Sequence, residues 1–169
     1  LKQKHHGRAT LHGAALCGKQ ESLRHILNLL PESQRLLAVE KNTRNRETVL
    51  HDAARSNNYE CIRAILALYP ESERRQAIYL QDQSGETVLH HASEYGRCDI
   101  LKYIMTLLPE SEYLQIVKIQ DQGGYSVLHC AKNSESIDSV LSLLPTSERL
   151  QAVGLRDVDG QTVLHVVAS

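Results

Sequence analysis

Histidine and cysteine side chains are the groups in this sequence best suited to chemistry, as metal ligands, proton carriers or nucleophiles. The chain has nine histidines and four cysteines in 169 residues. Five of the histidines, at positions 12, 51, 90, 129 and 165, follow one another at steps of 39, 39, 39 and 36 residues. A metal site needs ligands that converge to within about 2.0–2.3 Å of one ion. Residues that recur at a fixed step lie in a row, so this spacing favours a structural role for these five.

One cluster stands beside that row, because His91 follows His90 and Cys130 follows His129. His91 and Cys130 occupy the same position in neighbouring copies, where we expect a separation of roughly 8–10 Å, one helix-packing distance. That separation argues against a shared metal ion and against a Cys–His nucleophile pair, although both alternatives stay open. The sequence also lacks a phosphate-binding glycine loop and the common hydrolase and kinase motifs. We therefore predict a chain that is not an enzyme, with no catalytic residues, no metal ligands, no cofactor and no small-molecule substrate.

The five histidines belong to a longer repeated unit. Each of them ends a Thr-Val-Leu-His stretch or a close variant of it, as at 48–51, 87–90 and 162–165. A second marker, Pro-Glu-Ser or Pro-Thr-Ser, places prolines at 31, 70, 109 and 145 in the same phase. Two markers in one phase predict a repeat array, and this step length is typical of a solenoid. We predict a single, mostly α-helical solenoid over 1–169, with copies at about 4–42, 43–81, 82–120 and 121–156 and a partial copy at 157–169.

The third copy shows what one unit should form. Asp82–Gly85 is predicted to be a turn, because Asp bonds nearby backbone N–H groups and Gly accepts positive φ. Thr87 should start a first helix that ends near Gly96. An apolar stripe with helical spacing then predicts a second helix up to Pro109. Proline suits the first turn of a helix, so a third, short helix should follow and reach Val117.

The pattern Asp-x-x-Gly-x-Thr-x-Leu-His-x-Ala over 82–92, with Gly96 between two helices, resembles the ankyrin repeat family. That resemblance implies antiparallel helix pairs joined by protruding β-hairpin fingers and stacked into a curved solenoid. It also implies that the repeat histidine bonds backbone groups near the finger, and that partners bind the finger tips and the inner helices. The chain departs from the family where Val49, Val88 and Val127 stand in place of the usual proline. Its 39-residue step is longer than the usual roughly 33 residues, and we assign the extra residues to the third helix. Long repeats of this kind are similar to those of effector proteins that bacteria deliver into host cells.

Some copies depart from the pattern. The second has Thr43 and Arg46 in place of the finger's Asp and Gly, so we expect its finger to turn differently. The fourth is three residues shorter and carries Lys132 at a packing position, so we expect it to be the weak joint of the stack. The chain begins within a predicted finger, and neither end has the polar cap that a solenoid normally needs. We therefore expect it to be part of a larger repeat protein.

The charge of the chain limits the class of partner, and its cysteines indicate the compartment. The 19 Lys and Arg residues are interspersed with 20 Asp and Glu residues, which gives a net charge of −1. Nucleic acids and anionic membranes require a concentrated basic patch, so the sequence disfavours both.

Cysteines of neighbouring copies should lie too far apart for disulfides. Free thiols indicate a reducing compartment, and we predict the cytoplasm, or the host-cell cytosol for a secreted effector.

The remaining candidates for function are surface positions that differ from copy to copy, while the helix stripes do not. On the finger tips and inner helices these are Arg44, Arg46, Asp52, Arg55, Ser56, Gln83, His91, Glu94, Tyr95, Gln122, Tyr125 and Asn133, with His5 and His6 at the first finger. We predict a protein–protein interaction module with a concave binding surface centred on the second and third copies, where Arg55 and Tyr95 should lie outside the core. The partner would be a host protein in the case of a secreted effector. The alternative is a substrate-docking arm of a larger enzyme whose catalytic domain lies outside this chain.

Overall fold

The structure is a computed structural model that describes the backbone of residues 3–167 and the side chains of residues 10–165. Helices of three kinds recur along these residues. The first helices are Gln3–Leu16 (α1), Val49–Arg55 (α4), Val88–Glu94 (α7) and Val163–Val167 (α12). The second helices are Gln20–Asn28 (α2), Tyr59–Leu66 (α5), Cys98–Thr106 (α8) and Ser134–Leu141 (α10). The third helices are Glu32–Glu40 (α3), Glu71–Tyr79 (α6), Tyr113–Val117 (α9), which a 3-10 turn at Glu110–Glu112 precedes, and Thr146–Val153 (α11).

The helices stack in rows, as a solenoid requires. In the first row α1 packs on α4 and α4 on α7, while in the second row α2 packs on α5, α5 on α8 and α8 on α10. The third helices α3 and α6 each pack on the first helix of the following copy. The predicted helical solenoid and its additional short helix are therefore confirmed. No helix within residues 3–167 is long and apolar enough to span a membrane.

An apolar core runs along the stack and contains side chains from all three kinds of helix. Its largest fully buried members include Leu50 and Leu89 on first helices, Ile62 and Ile104 on second helices and Ile116 on a third helix. Complete burial of a Leu or Ile side chain stabilises a fold by roughly 1.5–3 kcal/mol. These residues follow the helical stripes of the sequence, so the core lies where the periodicity predicts it.

In the second, third and fourth copies, the repeat histidine joins the residue before the first helix or turn to the backbone near the next finger. In the third copy, the Thr87 N–H and hydroxyl donate to His90 Nδ1 at 3.1 and 2.8 Å. His90 Nε2–H donates to the carbonyls of Ile119 and Tyr125 at 3.1 and 3.2 Å. His51 is held in the same way by Thr48 and the Leu80 carbonyl. Burial lowers the pKa of both imidazoles, so they stay neutral, and their predicted structural role is confirmed.

The predicted β-hairpin fingers are wrong. Within residues 3–167 there is no strand, and pairing is limited to two isolated antiparallel bridges, Gln120–Ser126 and Arg156–Thr162. The connections are tight turns at 43–47, 82–86, 121–125 and 157–161, which we call the finger turns. Each is closed by a hydrogen bond from its first N–H to its fifth carbonyl. A single bridged pair beside a turn is shorter than a strand, which usually has about 3–10 residues.

Neighbouring finger turns are linked by a backbone ladder. The Gln83 N–H donates to the Asn45 carbonyl at 2.7 Å, and the Gln122 N–H donates to the Ser84 carbonyl at 2.9 Å. The Val158 N–H continues the ladder to the Gly123 carbonyl at 3.1 Å. The finger turns therefore form one ordered row instead of independent loops.

The finger of the second copy turns in the same way as the others, contrary to expectation. In the third copy, Asp82 Oδ1 accepts hydrogen bonds from two N–H groups of its own turn, and Gly85 has a φ of 85°. In the second copy, Thr43 Oγ1 accepts from the N–H groups of Asn45 and Glu47 at 3.2 and 3.3 Å. Arg46 takes the glycine's place with a φ of 61°. The threonine hydroxyl thus replaces the aspartate carboxylate as hydrogen-bond acceptor. Arg46 has to adopt the left-handed backbone conformation, which is unfavourable for a residue other than glycine.

The first and fourth copies are the irregular ones. Helix α1 already begins at Gln3, so the expectation that the chain begins in a finger is wrong. In the fourth copy the first helix is reduced to a turn at 127–130. Asn133 follows this turn closely and is the N-cap of α10. The missing three residues are nearly one helical turn, and they are lost from this helix. The side chains of His5 and His6 lie outside the described residues.

Candidate functional site

The exposed candidates lie on the finger turns and at the ends of the first helices of copies two to four. We call the surface formed by the following seven residues the first-helix face: Arg44, Arg46, Gln83, Glu94, Tyr95, Gln122 and Tyr125. All seven are exposed, and the finger ladder joins the turns that carry Arg44, Arg46, Gln83, Gln122 and Tyr125. A partner can therefore reach them on a surface that is already ordered.

Three predicted contact residues are buried, which is at odds with their prediction as partner contacts. His91 is 1% exposed, and Asp52 and Ser56 are also buried. Asp52 Oδ2 lies 2.5 Å from His12 Nδ1, which joins the first two copies. The Ser56 hydroxyl accepts a hydrogen bond from the Asn58 N–H at 3.2 Å. Burial leaves these three side chains little surface for a partner to contact.

Arg55 is also less free than the sequence predicts. Its guanidinium pairs with Glu47 and with Asp52 Oδ1, the latter at 3.0 Å, and its side chain is only 17% exposed. Burial alone would lower the pKa of Arg55, but the hydrogen bond and charge of Glu47 and the charge of Asp52 raise it overall. Its carbonyl accepts a hydrogen bond from Arg97 at 2.9 Å. Arg55 thus lies outside the apolar core, but its charge is already paired, so it is less available to a partner than its prediction as a contact residue requires.

The other two arginines of the predicted basic cluster differ from Arg55. Arg44 and Arg46 are exposed on the second finger turn, and neither forms an ion pair among residues 10–165. Asn133 is exposed, but its side chain accepts the Ser136 N–H at 2.9 Å as the cap of α10. It therefore has a structural role that the sequence did not indicate.

Two tyrosines provide the aromatic surface of the first-helix face. Tyr95 follows α7 as its C-cap residue and is 40% exposed, and Tyr125 closes the fourth finger turn and is 37% exposed. The Tyr125 ring covers Gly123 so closely that a Cβ at that position would lie 2.8 Å from the ring carbons. Tyr125 is therefore held in place before any partner binds.

Beside the two tyrosines lies a group of acidic residues and one buried histidine. Burial, and then the charges of Asp82, Glu94 and Asp121, raise the pKa of Glu86 to about 7. Burial, followed by the charges of Glu86, Asp121 and Glu94, raises the pKa of the Cys130 thiol far above its usual value. Cys130 thus stays protonated at neutral pH, which argues against the Cys–His nucleophile pair.

A family model described as ankyrin repeats (3 copies) matches residues 11–115, which is more than half of the chain. The chain belongs to the ankyrin repeat family. No curated protein matches it. Ankyrin repeats generally mediate protein–protein interactions, and their domains are typically interaction modules without catalytic activity.

Among the side chains of residues 10–165, potential metal ligands form two overlapping trios, and His91 belongs to both. One ligand atom each from Glu47, Asp82 and His91 lie within 4.8 Å of one another, and the same holds for Glu86, His91 and Glu94. Sequence reasoning missed the trios because it compared only equivalent positions in adjacent copies. The signal it could have used is within one copy, where His91 and Glu94 share a helix face at a spacing of three residues.

Two clefts in the ankyrin stack are small. A cleft of about 190 Å³ is lined by Thr48, Tyr69 and Ala77 among others, and one of about 180 Å³ is lined by Asn57 and Arg97 among others. Pockets that bind small molecules usually measure about 300–1,000 Å³. Neither cleft is of that size.

Proposed function

We propose that this ankyrin repeat chain is a protein-binding module whose partner contacts the first-helix face. The observation that carries the proposal is the pair of exposed tyrosines, Tyr95 and Tyr125, on an ordered backbone. Tyrosine is among the residue types enriched at interface hot spots. A surface ordered before binding also loses less conformational entropy when the partner binds.

The charge of the partner follows from the exposed arginines. Because Arg55 is neutralised by Glu47 and Asp52, the basic groups available to a partner are Arg44 and Arg46. We propose a partner that places acidic groups near the second finger turn and apolar groups against the tyrosines. The first-helix face would then form the concave surface that family resemblance implies.

The test is affinity capture with matched variants. Replacing both Tyr95 and Tyr125 with Ala should abolish capture of the specific partner and leave the thermal melt nearly unchanged. The control is Tyr59→Ala on α5, because Tyr59 is 42% exposed but lies in the second row of helices. Capture that is equally strong with all three proteins would overturn the proposal.

We also propose that the chain works in a reducing cytoplasm, with a host protein as partner if it is a secreted effector. All four cysteines are free thiols, and Cys61 is buried. Alkylation in denaturant without reductant, followed by mass spectrometry, should modify all four thiols of the protein taken from its native compartment. A disulfide in that sample would contradict this location. In the alternative function, the chain is the substrate-docking arm of a larger enzyme. The same surface would then bind the substrate, and a catalytic domain would be joined to the repeats.

A further inference from the structure

The larger of the two clefts lies beside two of the third helices, α3 and α6. It measures about 190 Å³, and it is lined by Glu40 from α3 and by Glu73 and Ala77 from α6. A water molecule takes up about 30 Å³ of liquid, so the cleft has room for roughly six non-hydrogen atoms, about one long side chain. None of the seven residues of the first-helix face lines it. The cleft is therefore separate from the surface proposed above.

Tyr69 lines this cleft and carries a hydroxyl that has no hydrogen-bond partner among the residues that the structure describes. Tyr69 is only 7% exposed, whereas the hydroxyl of the more open Tyr79 donates to Glu112 Oε2 at 3.1 Å. Among the described side chains, the fully buried polar atoms without a partner are those of His91 and Ser93. The Tyr69 hydroxyl is therefore still accessible, and the cleft that Tyr69 lines is its route to a partner.

Two carboxylates of the cleft act on this hydroxyl. Burial raises the pKa of Tyr69 to about 12, and the charges of Glu40 and then Glu73 add to that increase. The effect of a charge falls with distance, so the hydroxyl lies near both glutamates. Both of them line the cleft and are exposed. Three oxygen-bearing groups, contributed by α3, α6 and the segment between α5 and α6, therefore lie around one small space.

The negative charge of this space is not neutralised by the side chains that the structure describes. None of their ion pairs includes Glu40 or Glu73. Arg74 follows Glu73 in the sequence, but its Nε–H donates to the Tyr69 carbonyl at 3.3 Å. The charges that act on the Tyr69 hydroxyl are both negative. The cleft therefore attracts a positively charged group.

We propose that this cleft binds the side chain of a lysine from a protein partner. A lysine ammonium has three N–H donors and one positive charge, which suit two carboxylates and a hydroxyl on different elements. An arginine has a planar fork, which suits a single carboxylate better. Ala77 and Leu80 also line the cleft and would contact the lysine methylene groups. The cleft thus selects a basic group, whereas the first-helix face selects acidic and apolar ones.

NMR titration of the purified chain with N-acetyl-lysine methylamide tests this proposal. We expect saturable shifts at the backbone amides of Tyr69, Glu73 and Ala77. The norleucine analogue, which lacks the ammonium group, should cause none of these shifts, and the arginine analogue should bind more weakly. An arginine analogue that binds as tightly as the lysine probe would overturn the choice of lysine.

Matched variants locate the binding. Glu40→Gln and Glu73→Gln should each weaken binding of the lysine probe at least about fivefold, because a charge-assisted hydrogen bond is lost. Tyr69→Phe should also weaken it without lowering Tm, because the hydroxyl has no partner in the free chain, and a purely structural tyrosine would not behave in this way. The control is Glu71→Gln, an exposed acid on α6 that does not line the cleft, and it should bind as the native chain does.

Shifts that are lost in the two Gln variants and kept in the control support the proposed site. Shifts that persist in both Gln variants, equal shifts with the norleucine analogue, or no shifts in the native chain overturn it. Tighter binding of butylamine, which has an ammonium-bearing stem but no peptide groups, would assign the cleft to a free amine and also overturn it. These readouts do not involve the first-helix face, so their failure would leave the proposed function untouched.

Discussion

Replacing His90 with Ala should destabilise the chain more than the loss of a single hydrogen bond. His90 is completely buried and joins the Thr87 N–H and hydroxyl to the carbonyls of Ile119 and Tyr125. Alanine would leave the Thr87 donors and the carbonyls of Ile119 and Tyr125 without this partner. It would also open a cavity the size of an imidazole.

The expected magnitude combines these two effects. Buried groups left unpaired cost about 1–3 kcal/mol, and replacing a large buried ring with Ala costs about 3–5 kcal/mol in total. We expect the free energy of unfolding to fall by about 3–5 kcal/mol. Because His90 also links the third copy to the fourth finger turn, the melt should become less cooperative.

Urea denaturation followed by circular dichroism measures this change. The control is His25→Ala, because His25 is exposed on α2, and it should cost less than about 0.5 kcal/mol. A loss below about 1 kcal/mol for His90→Ala would refute the structural role of the repeat histidine.

The remaining predictions concern a turn, a carboxylate and the weak joint. Arg46→Gly should stabilise the chain by about 0.5–1 kcal/mol in urea melts, because glycine accepts the φ of 61°, whereas Arg44→Gly in the same turn should give no gain. Glu86→Gln should stabilise the chain by about 1–3 kcal/mol at pH 8 and by almost nothing at pH 4. The folded-state pKa of Glu86 is raised to about 7, so its favourable contribution is present below its ordinary pKa of 4.5 and is lost as the pH rises through 7; an equal gain at both pH values would contradict this. In hydrogen exchange, residues 127–133 should be less protected than 49–55, because a helix is reduced to a turn there, and equal protection would rule out a weak joint.

The periodicity of the sequence predicts most of the fold. Helical stripes placed the buried Leu and Ile residues correctly, because they depend on local geometry that the copies share. The recurrence of the histidine, together with the family resemblance, led to the structural role of His90. The second finger turn was predicted incorrectly. The sequence suggests a different turn at Thr43 and Arg46, but a hydroxyl can replace a carboxylate as acceptor, and the finger ladder holds Arg46 in the left-handed region.

The candidate site was predicted less well, because burial and pairing depend on contacts between copies. Asp52 looks like a variable surface residue until its contact with His12, forty positions away, is seen. Arg55 looks available until Glu47 and Asp52 are found on either side of it. Position within a repeat indicates the face on which a side chain lies, but it does not show whether a neighbouring copy already satisfies its charge.

Photo-crosslinking is the most direct test of the claim that a partner binds the first-helix face. A benzophenone amino acid would replace Tyr95 in one protein and Tyr59 in another, because the two side chains are similarly exposed but belong to different rows of helices. We predict a covalent adduct with the partner after irradiation of the first protein and none from the second. Adducts that form from position 59 and not from position 95 would contradict the account.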